Sequence, residues 1–322
     1  MSLADGTVAD GLLDGTRWAG WTAHALAGDA SSRRYWRLCG DGGQSVILMD
    51  NGAPDGNGFP AFETLSTHLH RLGLIAPRIL HVTADRRHAV TTDLGRITLA
   101  ERIRSHPGDE THLYPALVDV LPLLAAKDLP PGLVRLTPDL GARMIAPLFE
   151  NAAVAAPPAL HDEIGARIED AMDRVCTGPM ILSLRDFHAE NIIWRDGEEG
   201  TDRFGLLDYQ DAFVAPPEYD LASLLRDVRR DVAQDAHDQS LARFAERSGK
   251  TLDHVTAACA MLALQRNLRI LGIFARLAAG MGKVRYLDFL PRTARLIRED
   301  AAHPALTPLA GPVDRLLGYV TP

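Results

Sequence analysis

With 322 residues, the chain is long enough for two lobes and a sizeable core. Its 46% apolar and 24% charged residues are those of an ordinary globular protein, and a net charge of -8 argues against a dedicated nucleic-acid binder. Three cysteines, Cys39, Cys176 and Cys259, form no CxxC pair and encode neither a disulfide framework nor a zinc site. The opening MSLADGTVADGLLDGTRWAG lacks the basic and apolar regions of a secretion signal, and no stretch approaches the ~20 apolar residues of a membrane span. A cytoplasmic protein with neither membrane nor nucleic-acid partner is expected, as a monomer or weak homodimer.

In chain order, TAHALAG and RRYWRLCG alternate partially on either side of GDASS, and QSVILMD is a compact apolar run bounded by turn residues. A hairpin followed by a third strand is predicted. FPAFETLSTHLHRLG places Phe62, Leu65, Leu69 and Leu72 at helical spacing and stops at Gly73. APRILHVTADRRHAVTTDLG reads as two more short strands. From Ile97 onward the helical period dominates: ITLAERIRSH, LYPALVDVLPLLAAKD and LHDEIGARIEDAMDRVC predict amphipathic helices, separated by proline-rich segments around Pro130 and Pro157. Two strands tipped with acids follow, and then YDLASLLRDVRRDV and LDHVTAACAMLALQRNLRILGIFARLA return to helix. The expected fold class is α+β. A sheet-rich N-terminal lobe spans residues 1–95, ending in a turn at Asp93–Gly95, and a mainly helical C-terminal lobe spans 96–322.

Chemistry concentrates in ILSLRDFHAENIIW and FGLLDYQDA. In the first, an apolar run stops at Arg185-Asp186 and NIIW starts a short strand, so a loop holds Asp186, His188 and Asn191 close together. FGLLD is a second short strand, ending at Asp208. Pairing of two such strands side by side would bring Asp186, Asn191 and Asp208 to one edge. That trio suits phosphoryl transfer, in which one carboxylate orients a hydroxyl while an amide and a second carboxylate hold Mg2+ against phosphates. Any one of these acids taken alone also suits a turn; the combined spacing favours chemistry.

RDFHAEN and LLDYQDA resemble the paired motifs of the aminoglycoside phosphotransferase-like kinases, whose usual forms are HGDxHxxN and (I/L)DxxxA. Here Leu184 stands at the first position of the HGD triplet and Arg185 replaces its glycine. APPEYDLASL is similar to the family's proline-containing loop and helix start. The resemblance covers nearly the whole chain and implies a bilobal protein-kinase-like fold, ATP as phosphoryl donor and Mg2+ as cofactor. It implies Asp186 as catalytic base, Asn191 and Asp208 as metal ligands, and His188 as a brace for the loop. For Asp220 it suggests a carboxylate accepting backbone hydrogen bonds from the catalytic loop, with a helix N-cap as the alternative.

The N-terminal lobe departs from kinases of this fold, which carry a lysine on the third strand. VILM (Val46 to Met49) stands where VAIK is expected, and the three lysines, Lys127, Lys250 and Lys283, all lie outside this lobe. GDASSRRYWRL offers Arg33, Arg34 and Arg37 instead. If Gly28 opens a phosphate loop, strand alternation puts Arg33, Tyr35 and Arg37 on one face and Arg34, Trp36 and Leu38 on the other. Either Arg33 or Arg34 neutralises the phosphates, or these are solvated strand-edge arginines. Glu63 is placed to pair with such an arginine or to be an exposed helix carboxylate. The nucleotide-binding candidates are therefore Gly28, Ser31, Ser32, Arg33, Arg34, Tyr35, Ile47, Met49, Glu63 and Asp93.

GDASSRRYWRL, VILMD, TTDLG and QRNLRILGIFARL resemble one branch in particular, the bacterial anomeric kinases for N-acetylmuramate and N-acetylglucosamine, and VRYLDFLPRTARLI is similar to that branch's terminal segment. The resemblance implies a small amino-sugar substrate phosphorylated at its anomeric hydroxyl. Substrate-contact candidates are Arg185, Asp211, Arg266, Asn267 and Arg269, with helix-surface charges as the alternative for the last three. Two competing readings are a kinase of another small alcohol and a binding-only pseudokinase. The absent lysine invites the second, and the intact Asp186, Asn191 and Asp208 set argues against it.

Overall fold

A computed structural model of the chain describes residues 6–7, 12–26, 33–125, 128–150, 156–281 and 283–320. The chain divides into two compact units, one of Met1–Arg102 and Glu190–Asp211, the other of Ile103–Ala189 and Ala212–Pro322.

The first unit is built on an antiparallel sheet. Strands β1 (Gly6–Thr7), β2 (Thr22–Leu26), β3 (Arg34–Cys39), β4 (Ser45–Asp50), β5 (Ile79–Val82) and β6 (His88–Thr92) run in the order β1-β2-β3-β4-β6-β5. Helix α1 (Phe59–Arg71) connects β4 to β5, and α2 (Leu99–Ser105) begins where this segment of the unit ends. Trp36 pairs with Leu48 and Leu38 with Val46, so these four share a face and pack with Leu13, Trp18, Ala23 and Val90. Tyr35–Met49 and Arg37–Ile47 pairs occupy the opposite face, as the two-residue repeat of a strand requires.

In the second unit the chain forms α3 (Glu110–Val118), α4 (Pro138–Arg143), α5 (Ala146–Phe149), α6 (Pro158–Val175) and strand β7 (Ile181–Ser183). It returns to the first unit for β8 (Ile192–Trp194) and β9 (Phe204–Leu206). The remainder of the second unit is β10 (Phe213–Ala215), α7 (Glu218–Leu225), α8 (Gln234–Ser248), α9 (Leu252–Met281), α10 (Leu290–Ala301) and α11 (Thr307–Leu317). Gly272 of α9 lies where a Cβ would strike the backbone of Leu148 in α5, so glycine permits these two helices to approach closely.

Two helix expectations change, and one strand expectation holds. The expected side-by-side pairing of NIIW with FGLLD is present as β8 with β9, while β7, which leads to Asp186, pairs with β10 in a separate two-stranded sheet. The helix expected over LYPALVDVLPLLAAKD is α3 alone, ending at Val118, because Pro122 has no N–H to continue it and lies in a short 3-10 turn, Leu121–Leu124. Helix α7 ends at Leu225, ahead of RDVRRDV. Helix α8 had no expectation, since its buried stripe of Ala236, Ser240, Leu241, Phe244 and Ala245 carries only two large apolar side chains. By length and hydropathy Leu252–Ala278 of α9 passes as a membrane span, but 78% of its apolar window is buried within the protein, as in a core helix.

Candidate active site

Strand β7 delivers the chain into a loop that Asp220 of α7 holds from below. The Asp220 carboxylate accepts from the Leu184 N–H at 2.7 Å, the Arg185 N–H at 2.9 Å and the Ser183 hydroxyl at 2.8 Å. Burial pushes its pKa up to about 6 despite these donors. Arg185 itself has φ +73, a left-handed conformation uncommon outside glycine. This is the position at which the motif's usual glycine is replaced.

The strained turn presents Asp186, whose side chain is 36% exposed. Arg266 of α9, only 2% exposed, approaches Asp186 Oδ1 with Nη2 at 3.3 Å. Arg266 is therefore no helix-surface charge. Asn267 is also buried, and donates to the Arg226 carbonyl at 3.3 Å, not to the loop. His188 is buried, and burial together with the Arg229 and Arg266 cations drives its pKa well below the usual imidazole value. A neutral imidazole suits packing of the loop.

In the first unit, β8 and β9 place Asn191 and Asp208 facing one another. Asn191 Nδ2 lies 3.4 Å from Asp208 Oδ2, and Gln210 Nε2 donates to Asp208 Oδ1 at 2.6 Å. Asp208 is exposed at φ +57, again a left-handed backbone at a position of chemical interest. An amide and a carboxylate that converge at a solvent-facing edge are hard oxygen donors of the kind Mg2+ takes, with water and phosphate oxygens filling its other positions. Among the described residues no group of three or more His, Cys, Asp or Glu could hold a metal by itself. Asp211 is exposed.

The arginines of β3 divide their work. Arg37 binds Asp93 with two nitrogens, at 2.6 and 3.1 Å, while Ser45 and the Gly95 N–H take further positions on that carboxylate. Burial would raise the Asp93 pKa, but these donors hold it low. Asp93 is thus an internal clasp between β3, β4 and the turn after β6, not an open nucleotide contact. Arg34 pairs with the buried Asp50 at 2.6 Å, shared with Arg87 at 2.9 Å. Glu63 pairs with Arg86 rather than with an arginine of SSRRYWR. Met49 is buried and Ile47 half-buried. Arg33 is 4% exposed, with its guanidinium 5.6 Å over the Phe62 ring. Burial raises the pKa of the neighbouring Tyr35, opposed by the charge and hydrogen bond of Arg33, while the Asp208 carboxylate pushes the same way as burial. Gly28, Ser31 and Ser32 lie outside the described residues.

Three contributors escaped the sequence reading. Gln210, Ser183 and Tyr219 each stand within two residues of a candidate, and only the fold shows that Gln210 orients Asp208 and Ser183 orients Asp220.

The fold is that of protein-kinase-like small-molecule kinases, and the chain is a phosphotransferase. It is similar in structure to a choline/ethanolamine kinase family protein from Mesorhizobium loti, with a TM-score of 0.64, 16% identity and coverage of 95% of this chain and 96% of that one. An aminoglycoside 2'-phosphotransferase superposes with a TM-score of 0.60 at 16% identity, covering 87% and 92% of the two chains. Residues 22–255 match the family model described as phosphotransferase enzyme family, and the chain belongs to that family. It is 32% identical to the N-acetylmuramate/N-acetylglucosamine kinase of Caulobacter vibrioides over 92% of each chain. It is 28% identical to the protein of the same name from Pseudomonas aeruginosa, over 85% of this chain and 82% of that one.

Proposed function

We propose that this protein transfers the γ-phosphoryl group of ATP to the anomeric hydroxyl of N-acetylmuramate or N-acetylglucosamine, yielding the sugar 1-phosphate and ADP. The observation that carries this reading is the end-to-end similarity to relatives that share one name, N-acetylmuramate/N-acetylglucosamine kinase. In this reading residues 1–95 serve the nucleotide and 96–322 serve catalysis and the sugar, in the cytoplasm, as part of peptidoglycan recycling.

Asp186 accepts the hydroxyl proton as the oxygen forms its bond to phosphorus and the bond from phosphorus to the β-phosphate oxygen breaks. Arg266 orients the Asp186 carboxylate, and Asp220 holds the turn that carries it. A hemiacetal hydroxyl is more acidic than an ordinary sugar alcohol, because the ring oxygen withdraws charge from C1; one carboxylate then suffices as base. Asn191 and Asp208 would hold Mg2+, which when bound neutralises phosphate charge. Arg33 supplies the cation that the third strand lacks.

ATP consumption should require one of the two sugars, fail with their 1-O-methyl glycosides, and give an acid-labile product. Asp186→Asn should lower kcat by roughly 10²-fold or more while nucleotide still binds. Turnover of a methyl glycoside would overturn the anomeric assignment in favour of another small alcohol, and near-normal kcat in the variant would remove Asp186 from the reaction.

A further inference from the structure

The loop that bears Asp186 is flanked by three arginines, Arg185, Arg266 and Arg269. Arg266 has Nη2 beside Asp186, whereas its Nη1 is buried with no hydrogen-bond partner among the described residues. Arg269 follows three residues later on the same side of α9. Its pKa is lowered by burial and by the like charge of Arg185, with Tyr219 and Asp186 acting in the opposite direction and Arg266 adding to the repulsion. The Arg185 guanidinium lies 5.7 Å over Phe213, and its Nε is also buried without a partner. Phe213 meets Tyr219 edge-on at 4.8 Å, and the Tyr219 hydroxyl, fully buried and unpartnered, sits in the field of all three arginines.

Guanidinium groups packed this way repel one another, and a buried donor without an acceptor is destabilising. Asp227 also interacts with Arg266, but it is shared with Arg229 and Arg230. Asp220 is taken up by the Leu184 and Arg185 N–H groups and the Ser183 hydroxyl, and Arg185 Nε, Arg266 Nη1 and the Tyr219 hydroxyl are left without an acceptor among the described residues. Planar, bidentate donors with a phenol nearby match a carboxylate.

We propose that Arg185, Arg266 and Arg269, with the Tyr219 hydroxyl, bind the carboxylate of an acidic acceptor sugar, and that this contact selects N-acetylmuramate, with its lactyl carboxylate, over N-acetylglucosamine, which has a hydroxyl there. The proposal rests on the acceptor reading above and assigns the group that discriminates between its two sugars.

The test compares kcat/KM for the two sugars in the wild type, Arg269→Gln, Arg269→Lys and Arg185→Ala. The ratio favouring N-acetylmuramate should fall about ten-fold or more in Arg269→Gln, the scale of one charge-assisted hydrogen bond, mainly through KM. Arg269→Lys should recover part of it, and Arg185→Ala should lower the same ratio. An unchanged ratio, or equal losses for both sugars, overturns the proposal. Wild-type inactivity toward both sugars overturns the acceptor reading and the proposal with it, an outcome distinct from an unchanged ratio.

Discussion

The N–H of Arg185 donates to Asp220 Oδ1 at 2.9 Å from a backbone held at φ +73. A buried carboxylate thus holds a non-glycine residue in a conformation that Cβ sterics disfavour, immediately before Asp186. Arg185→Ala removes the guanidinium and keeps the strain, whereas Arg185→Gly removes both. The glycine variant should be more stable than the alanine variant by about 1 kcal/mol in chemical denaturation. Equal stabilities would mean that the turn carries no strain.

Asp220 should leave a mark on the pH dependence of stability. Its folded pKa, pushed up to about 6 by burial, lies above the ~3.9 of an unfolded aspartate. The folded state therefore retains a proton that the unfolded state has lost, so stability falls as pH rises between those values and then levels off. The difference in unfolding free energy between wild type and Asp220→Asn should decline from pH 4 to 6. A flat difference would show that the hydrogen bonds outweigh burial.

Arg37 and Asp93 form a buried bidentate pair, their side chains only 12% and 5% exposed. Arg37→Ala strands the carboxylate, and breaking such a pair by removing one partner costs about 3–5 kcal/mol. Thermal or urea unfolding should report a loss of that order. Loss of nucleotide affinity without loss of stability would instead make Arg37 a phosphate ligand.

Nucleotide binding should separate Arg33 and Asp208 from that clasp. In calorimetry, Asp208→Ala should lose the Mg2+-dependent part of ATP binding, and Arg33→Ala should weaken ATP by about 1.5–3 kcal/mol, the worth of a hydrogen bond to a charged group. Unchanged Mg2+ dependence would leave Asp208 as a strand-end acid alone.

Gly272→Ala sets two effects against each other. Alanine in a helix interior gains about 1 kcal/mol over glycine. Here the added Cβ would fall 2.5 Å from Leu148 Cα, which is backbone and cannot rotate aside. Overpacking of this kind costs about 1–3 kcal/mol or more, so a lower melting temperature is expected. A rise would show that α5 yields.

The features legible in the sequence were those with a local signal. Alternation along RYWRLC set which residues share a face, and Trp36 and Leu38 do pack in the core while Tyr35 and Arg37 occupy the other side. The D-x-H-x-x-N and LLD strings marked the kinase family that the comparisons show. Less legible was the partner of β7, whose three residues are too short for their pattern to name β10.

Local spacing and side-chain type thus determined by themselves that the chain has a sheet-rich beginning, a helical remainder and two acid-tipped segments carrying Asp186, Asn191 and Asp208. Tertiary structure alone decided that Arg34 answers Asp50, that Arg37 answers Asp93, that Glu63 goes to Arg86, and that Arg266 is buried beside Asp186. The physical reason is reach. A long charged side chain on a strand or helix has several acids within its span, and which one it joins depends on how much desolvation distant segments impose on each.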